Sequence, residues 1–255
     1  MTAGRAFLLF AATLVVANTP VAVAEQGAAA ASAEINVFAA ASLTNAFTEL
    51  ARAFEAQQPG RKVSLNFGGS QQLAAQILEA APADVFASAN DEQMERIADA
   101  RLLRGASKVF ATNRLAVAVA PGNPEKIAGL ADLSRAGLVV VLAAEEVPAG
   151  RYAREVLRKA GVAVTPASLE IDVRSVLSKV ALGEADAGIV YESDIAVAAS
   201  KVTKVEIPAE QNVVASYPIA ALSRGSHSDA AMALVDFVCS DAGRAILARF
   251  GFGVP

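Results

Sequence analysis

The residues of this chain best suited to chemistry are small, neutral ones at strand-to-helix corners, rather than acids, histidines or cysteines. In 35–47 (INVFAAASLTNAF) an alternating strand pattern runs through alanines to Ser42, after which Leu43, Phe47, Leu50 and Phe54 recur at helical spacing. Four corners repeat the feature: Gly68-Gly69 before Ser70, Pro148-Ala149-Gly150, Asp172 before Val173, and Tyr191 at the end of an apolar strand. Free backbone N–H groups at a helix start and the positive end of its dipole point the same way, so such a corner suits an anion. Each also has a plainer reading. Ser42 and Asp172 are good helix caps, paired glycines turn a chain, proline is ordinary at a helix start, and Tyr191 reads as a core-edge residue with a wet hydroxyl.

The elements that must position these corners alternate along the chain. Strand patterns at 35–40, 62–67, 83–89, 113–120, 138–143, 187–191, 201–207 and 216–223 are interleaved with helix patterns at 42–57, 70–80, 91–102, 150–161 and 173–183. A short helix at 194–200 and a helical tail over 228–250 complete the reading. Strands alternating with helices of 10–15 residues predict an α/β fold with mainly parallel sheets flanked by helices. In open α/β sheets ligands bind beyond the carboxyl ends of the strands, and the corners lie on that side. The run 111–120 and the strand near Tyr217 are candidate crossings between two lobes, one of 34–112 plus 218–255 and the other of 113–217. Propensity alone equally allows one continuous sheet.

The N-terminus reads as an address. A weakly basic start, an apolar run over 6–17, a break at Asn18-Thr19-Pro20 and the small-x-small sequence Ala22-Val23-Ala24 predict a signal peptide over 1–24, cleaved after Ala24. Residues 25–33 then form a flexible segment, and about 230 residues remain, enough for a substantial core. A span needs about 20 apolar residues, and no other segment is long and apolar enough. An exported, soluble protein is expected. Its single cysteine, Cys239, makes no internal disulfide and reads as a small buried hydrophobe. Loss of Arg5 takes the net charge from −4 to −5, which disfavours nucleic acid as a partner. An anion site in an acidic protein must rest on local, oriented dipoles.

The segments FAAASLTNA, FGGSQQLAAQI, APADVFASA, VPAGRYA, DVR, GIVYESDIA and the closing RFGF, in this order and spacing, resemble the periplasmic molybdate-binding proteins of ABC transporters, the ModA family. The resemblance covers nearly the whole mature chain. It implies a two-lobed periplasmic-binding-protein fold of type II with the oxyanion held between the lobes by neutral donors. The implied ligands are the hydroxyl and backbone N–H of Ser42 and Ser70, the backbone N–H of Ala149 and Val173, and the phenol of Tyr191. It further implies molybdate and tungstate as ligands, no cofactor, molybdenum only as the bound oxyanion, a membrane permease as partner, and a periplasmic monomer. Where many relatives carry a serine-rich corner, this chain has Gly68-Gly69, which keeps Ser70 but removes neighbouring hydroxyls.

A tetrahedral dianion needs donors on all sides, and a site without a carboxylate acceptor suits a fully deprotonated ion. Phosphate near neutral pH keeps a proton that would face donors only, whereas molybdate, tungstate and sulfate carry none. The alternatives are a binding protein for another tetrahedral oxyanion such as sulfate, an exported serine hydrolase, and a sensing domain. The hydrolase lacks a G-x-S-x-G elbow, and its triad would need the sole histidine, His227, which lies in a polar turn. The chain has no DNA-binding segment of the kind a transcription regulator needs. The reading is a binding protein and not an enzyme.

Overall fold

The computed structural model describes residues 1–2 and 33–255, in which strand and helix alternate in the expected order. The elements are β1 (Ala33–Ala40), α1 (Thr44–Gln57), β2 (Arg61–Gly68), α2 (Ser70–Leu78), β3 (Val85–Ala87), α3 (Asp91–Asp99) and β4 (Lys108–Val119). They continue with β5 (Val140–Ala143), α4 (Pro148–Lys159), β6 (Ser168–Glu170), α5 (Val173–Ala181), β7 (Ala187–Tyr191) and α6 (Glu192–Val197). Strands β8 (Thr203–Glu206) and β9 (Val214–Ala221) and helices α7 (Ser228–Cys239) and α8 (Asp241–Arg249) close the chain. Short 3-10 turns occupy Ala41–Leu43 and Leu130–Ser134. Residues 3–24 of the expected signal peptide and 25–32 of the following segment lie outside the described residues; Ala33 itself opens β1, paired with Arg61.

Alternation along β1 shows how the layers form. Ile35, Val37 and Ala39 join the core that holds Leu43, Phe47, Leu50 and Phe54 of the first corner and α1. Phe38 points the other way, into a second cluster with Leu73 and Ile77 of α2, Phe86 of β3, and Met94 and Ile97 of α3. A period of two therefore gives one strand two buried faces, and a period of 3.6 gives each helix one face to cover them.

Among the described residues nine strands hydrogen-bond in the order β2-β1-β3-β9-β4-β7-β5-β6, with β8 also on β4. The pairs β1–β2, β1–β3, β5–β6 and β5–β7 are parallel. All antiparallel pairs involve β4 or β9. Lys108 to Arg114 of β4 pair with β9, and Leu115 to Val119 pair with β7 and, over Ala116 to Val119, with β8. One long strand thus joins two parallel groups. The carboxyl ends of β1, β2 and β3 lead to α1, α2 and α3, and those of β5, β6 and β7 lead to α4, α5 and α6.

Several boundaries differ from the sequence reading. The expected 228–250 tail breaks at Ser240, whose hydroxyl donates to the Phe237 carbonyl and accepts from Gly243 N–H, ending one helix and starting the next. The helix expected over 91–102 stops at Asp99, because Arg101 takes a φ of 57°. Strand β6 was hidden in a three-residue segment too short to show a period. Cys239 is half-buried rather than fully enclosed. Among the described residues no helix is long and apolar enough to cross a membrane.

Candidate functional site

The two groups of strand ends face each other across a small cavity of about 10 Å³. Ala40, Ser42, Gly68, Gly69, Ser70 and Ala89 line it from one group; Val147, Ala149, Asp172, Val173 and Tyr191 line it from the other. All five residues singled out at the corners therefore meet at one place. Ser70 and Val173 are the first residues of α2 and α5, and Ala149 follows Pro148 at the start of α4. Ser42 lies within the 3-10 turn that leads into α1. In such positions the backbone N–H has no acceptor within its own helix, so several N–H donors and helix dipoles converge on the cavity. The only charged side chain in the lining belongs to Asp172, whose Oδ1 accepts from Ser175 N–H at 2.9 Å and so caps α5.

The hydroxyls are held by specific partners. Ser42 caps nothing: the cap positions of its turn and of α1 are Ala40 and Leu43, with no side-chain bond at either. Its Oγ lies 3.0 Å from the Tyr217 hydroxyl instead, in a buried setting. Ser70 Oγ accepts from Ala89 N–H at 3.0 Å, which leaves the serine's own proton free for the cavity. Tyr191 is not the wet core-edge residue of the sequence reading. It is 1% exposed, and its buried hydroxyl has no hydrogen-bond partner of good geometry among the described residues. A buried unpaired hydroxyl on a cavity wall is costly unless something in the cavity bonds to it. Burial pushes the Tyr191 and Tyr217 phenols well above their ordinary value, so both stay protonated donors.

Behind this wall runs an aromatic ladder. Tyr217 meets Tyr191, Phe110 and Phe252 edge-on, at centroid distances of 5.7, 6.3 and 5.5 Å. Phe252 belongs to the closing RFGF segment, so the C-terminus contributes by locking Tyr217. The quadrupoles of the rings favour this edge-to-face arrangement, which fixes where both phenols point.

Sequence reasoning missed Tyr217, Arg174 and Asp194. Arg174 Nε pairs with the fully buried Asp194 Oδ1 at 2.7 Å, and its Nη2 donates to the Ser42 carbonyl at 3.2 Å. Asp194 Oδ2 in turn accepts from Tyr191 N–H at 3.2 Å. Burial raises the Asp194 pKa to about 6, against the pull of Arg174 and the Tyr191 N–H. One arginine thus stands beside the site with its charge taken up by a neighbour. A signal for it existed: a cation in the first turn of a helix opposes the dipole and so calls for a partner elsewhere. Tyr217 had no comparable signal, because its role depends on the β3–β9–β4 pairing.

Direct contacts bridge the two groups of strand ends. Besides Arg174 on Ser42, Gln71 Nε2 donates to the Ile171 carbonyl at 3.0 Å, and Arg151 pairs with Glu92 with Nη2 3.0 Å from Oε1. Gly69 also lies close to the opposite group, since a Cβ there would be 2.6 Å from the Ile171 carbonyl oxygen. The corner's glycines therefore admit the opposite group as well as turning the chain. His227 sits at the cap of α7 outside the cavity lining, so no serine–histidine pair forms there. Among the described residues no cluster of three His, Cys, Asp or Glu could hold a metal ion.

Residues 35–253 match the family described as bacterial extracellular solute-binding protein. The molybdate-binding protein ModA of Mycobacterium tuberculosis H37Rv is 46% identical over 221 residues, covering 87% of this chain and 85% of that protein. Among solved structures, the periplasmic molybdate-binding protein of Azotobacter vinelandii aligns with a TM-score of 0.76 at 23% identity, over 87% of this chain and 99% of that one. The sulfate-binding protein SubI of M. tuberculosis aligns with a TM-score of 0.79 at 20% identity, over 86% of each chain. At such identities the two structures speak for a shared periplasmic-binding-protein fold. The match over 35–253 and the close relative go further: the chain belongs to the bacterial extracellular solute-binding proteins, within the ModA family.

Proposed function

We propose that this protein captures molybdate, and tungstate, in the cavity at the strand ends and delivers it to the membrane permease of an ABC transporter. The observation that carries the reading is the convergence of Ser42, Ser70, Ala149, Val173 and Tyr191 on one cavity whose only charged lining residue is occupied as a helix cap. The ligand is held by the hydroxyl and backbone N–H of the two serines, the backbone N–H of Ala149 and Val173, and the phenol of Tyr191. The orphaned Tyr191 hydroxyl supports a bound acceptor in particular. The protein is a solute-binding protein and not an enzyme.

The lobes that close on the ligand are 34–112 with 218–255, and 113–217. The change of partner along β4, from β9 to β7 and β8 at Arg114 and Leu115, supports this division. The protein works as a periplasmic monomer, exported and cleaved after Ala24.

Calorimetric titration of the protein purified from the periplasm, its N-terminus sequenced, tests the reading. The mature chain starts at Glu25. Molybdate and tungstate bind with one site per chain, sulfate binds more weakly, and phosphate binds weakest because its proton faces donors only. Absence of heat with molybdate, or phosphate binding as tightly as molybdate, would overturn the oxyanion reading.

A further inference from the structure

Val173 opens α5 on the wall of the cavity, and the next residue, Arg174, lies just outside it. Arg174 lines an outer cleft of about 500 Å³, bounded by Ala41, Thr44 and Phe67 on one side and by Asp172 and Ser178 on its own. Ala41 and Asp172 line both spaces. They are thus the partition between the ligand position and the outer cleft, and the Arg174 side chain crosses from one group of strand ends to the other beside it.

The guanidinium is held from one side and received on the other. Its Nε lies 2.7 Å from Oδ1 of the fully buried Asp194, an ion pair by charge and distance, since neither atom has a hydrogen-bond partner of good geometry. Asp194 is itself fixed, because its Oδ2 accepts from Tyr191 N–H at 3.2 Å. Across the gap, Arg174 Nη2 donates to the Ser42 carbonyl at 3.2 Å. Arg174, Asp194 and Tyr191 all belong to the 113–217 lobe, and Ser42 belongs to the other. One side chain therefore ties together the corners of Ser42, Val173 and Tyr191. The pair with Asp194 lies within one lobe and survives opening, so only the bond to Ser42 is made and broken as the lobes move. An arginine already held in place by a carboxylate loses less freedom when it docks.

We propose that Arg174 is a positioning residue that clasps the two lobes over the bound oxyanion, anchored by Asp194 and docking on the Ser42 carbonyl, and so sets how slowly the ligand leaves. The inference rests on the two-lobed oxyanion-binding reading above. Because the clasp touches protein and not ligand, it acts on every bound oxyanion alike.

The test follows release of radioactive molybdate into excess unlabelled molybdate, with titrations of molybdate and sulfate, for wild type, Arg174→Lys and the double variant Arg174→Met/Asp194→Asn. Wild type serves first: failure to bind molybdate sinks the function itself and not merely the clasp. The double variant removes both charges together, so no uncompensated carboxylate stays buried, and its new amide oxygen still accepts from Tyr191 N–H. Release should quicken about 10-fold, the lower end for a charged hydrogen bond because the Arg174 side chain is 24% exposed. Molybdate and sulfate affinities should fall by the same factor. Lysine keeps the charge, but one ammonium does not span carboxylate and carbonyl as the planar fork does, so Arg174→Lys should still release at least about 5-fold faster than wild type. Wild-type release in either variant would overturn the clasp: in the lysine variant it would show that charge alone acts, and in the double variant that Arg174 is only packing. A shifted preference between molybdate and sulfate would also overturn it, by making Arg174 a contact of the ligand itself. Melting curves of the ligand-free variants show that each is folded; if the double variant is not, the lysine variant decides alone, because it keeps Asp194 paired.

Discussion

At the scale of single residues, the site separates binding from stability in a measurable way. Ser42→Ala and Ser70→Ala each remove one hydroxyl donor to a charged ligand and leave the backbone N–H in place. Hydrogen bonds to charged groups contribute about 1.5–3 kcal/mol, so each change should weaken molybdate binding about 10- to 150-fold. The two differ in what they leave behind. Ser70→Ala strands the buried Ala89 N–H, which costs about 1–3 kcal/mol of folding stability. Ser42→Ala leaves the Tyr217 hydroxyl without its serine partner but breaks no helix cap. Titration and chemical denaturation of both variants check this, and wild-type affinity in either would remove that serine from the ligand set.

At the scale of elements, the binding corners are also the places where the two groups of strand ends touch. Gly69 has φ −62° and ψ 133°, values open to any residue, so alanine there costs nothing in the backbone of an open molecule. Its Cβ would meet the Gln71 side chain at 2.5 Å and, from the opposite group, the Ile171 carbonyl oxygen at 2.6 Å. The flexible Gln71 side chain nearby can move; the carbonyl belongs to the backbone at the start of α5 and cannot move without shifting the corner. Gly69→Ala should therefore lower molybdate affinity by at least 10-fold while leaving the stability of the ligand-free protein within about 0.5 kcal/mol of wild type. An alanine variant with wild-type affinity would show that closure tolerates a gap at this corner. Gly150 differs in kind. A Cβ there would strike the Ala143 and Ala144 carbonyls within its own group, so its substitution damages the fold itself.

At the scale of the whole molecule, a ligand that bridges two groups of elements stabilises the state in which both are assembled. Molybdate at 1,000 times its dissociation constant should add about 4 kcal/mol to unfolding. For a body of this size, each kcal/mol raises the melting temperature by about 2–4 °C, so a rise of about 8–16 °C is expected in calorimetry. An unchanged melting temperature in saturating molybdate would argue against a bridging site. The connections across β4 and β9 matter here, because a ligand at the strand ends loads both groups while one long strand holds them in register.

Much of this was legible in the chain itself. Periodicity and short apolar runs marked the strands and helices that build the cavity, because burial of one helix face writes a repeat into the residues and burial of both faces of a central strand writes an unbroken apolar run. Helix starts and one strand end marked the corners that hold Ser42, Ser70, Ala149, Val173 and Tyr191, but each corner alone read as readily as a cap, a turn or a core edge, and only the resemblance to the ModA family joined them into one ligand set. Two kinds of fact remained closed to it. Short elements such as β6 span less than one informative period, and the break at Ser240 rests on local bonds that an apolar repeat does not record. The partners behind the site were invisible for a deeper reason. Tyr217 lies 175 positions from Ser42 and Arg174 lies 132 from it, and nothing local constrains such pairs. Whether Ser42 is a helix cap or a held hydroxyl, and whether Tyr191 is wet or buried without a partner, is decided by what packs behind each hydroxyl. Only the assembled sheet, with β9 between β3 and β4, determines that.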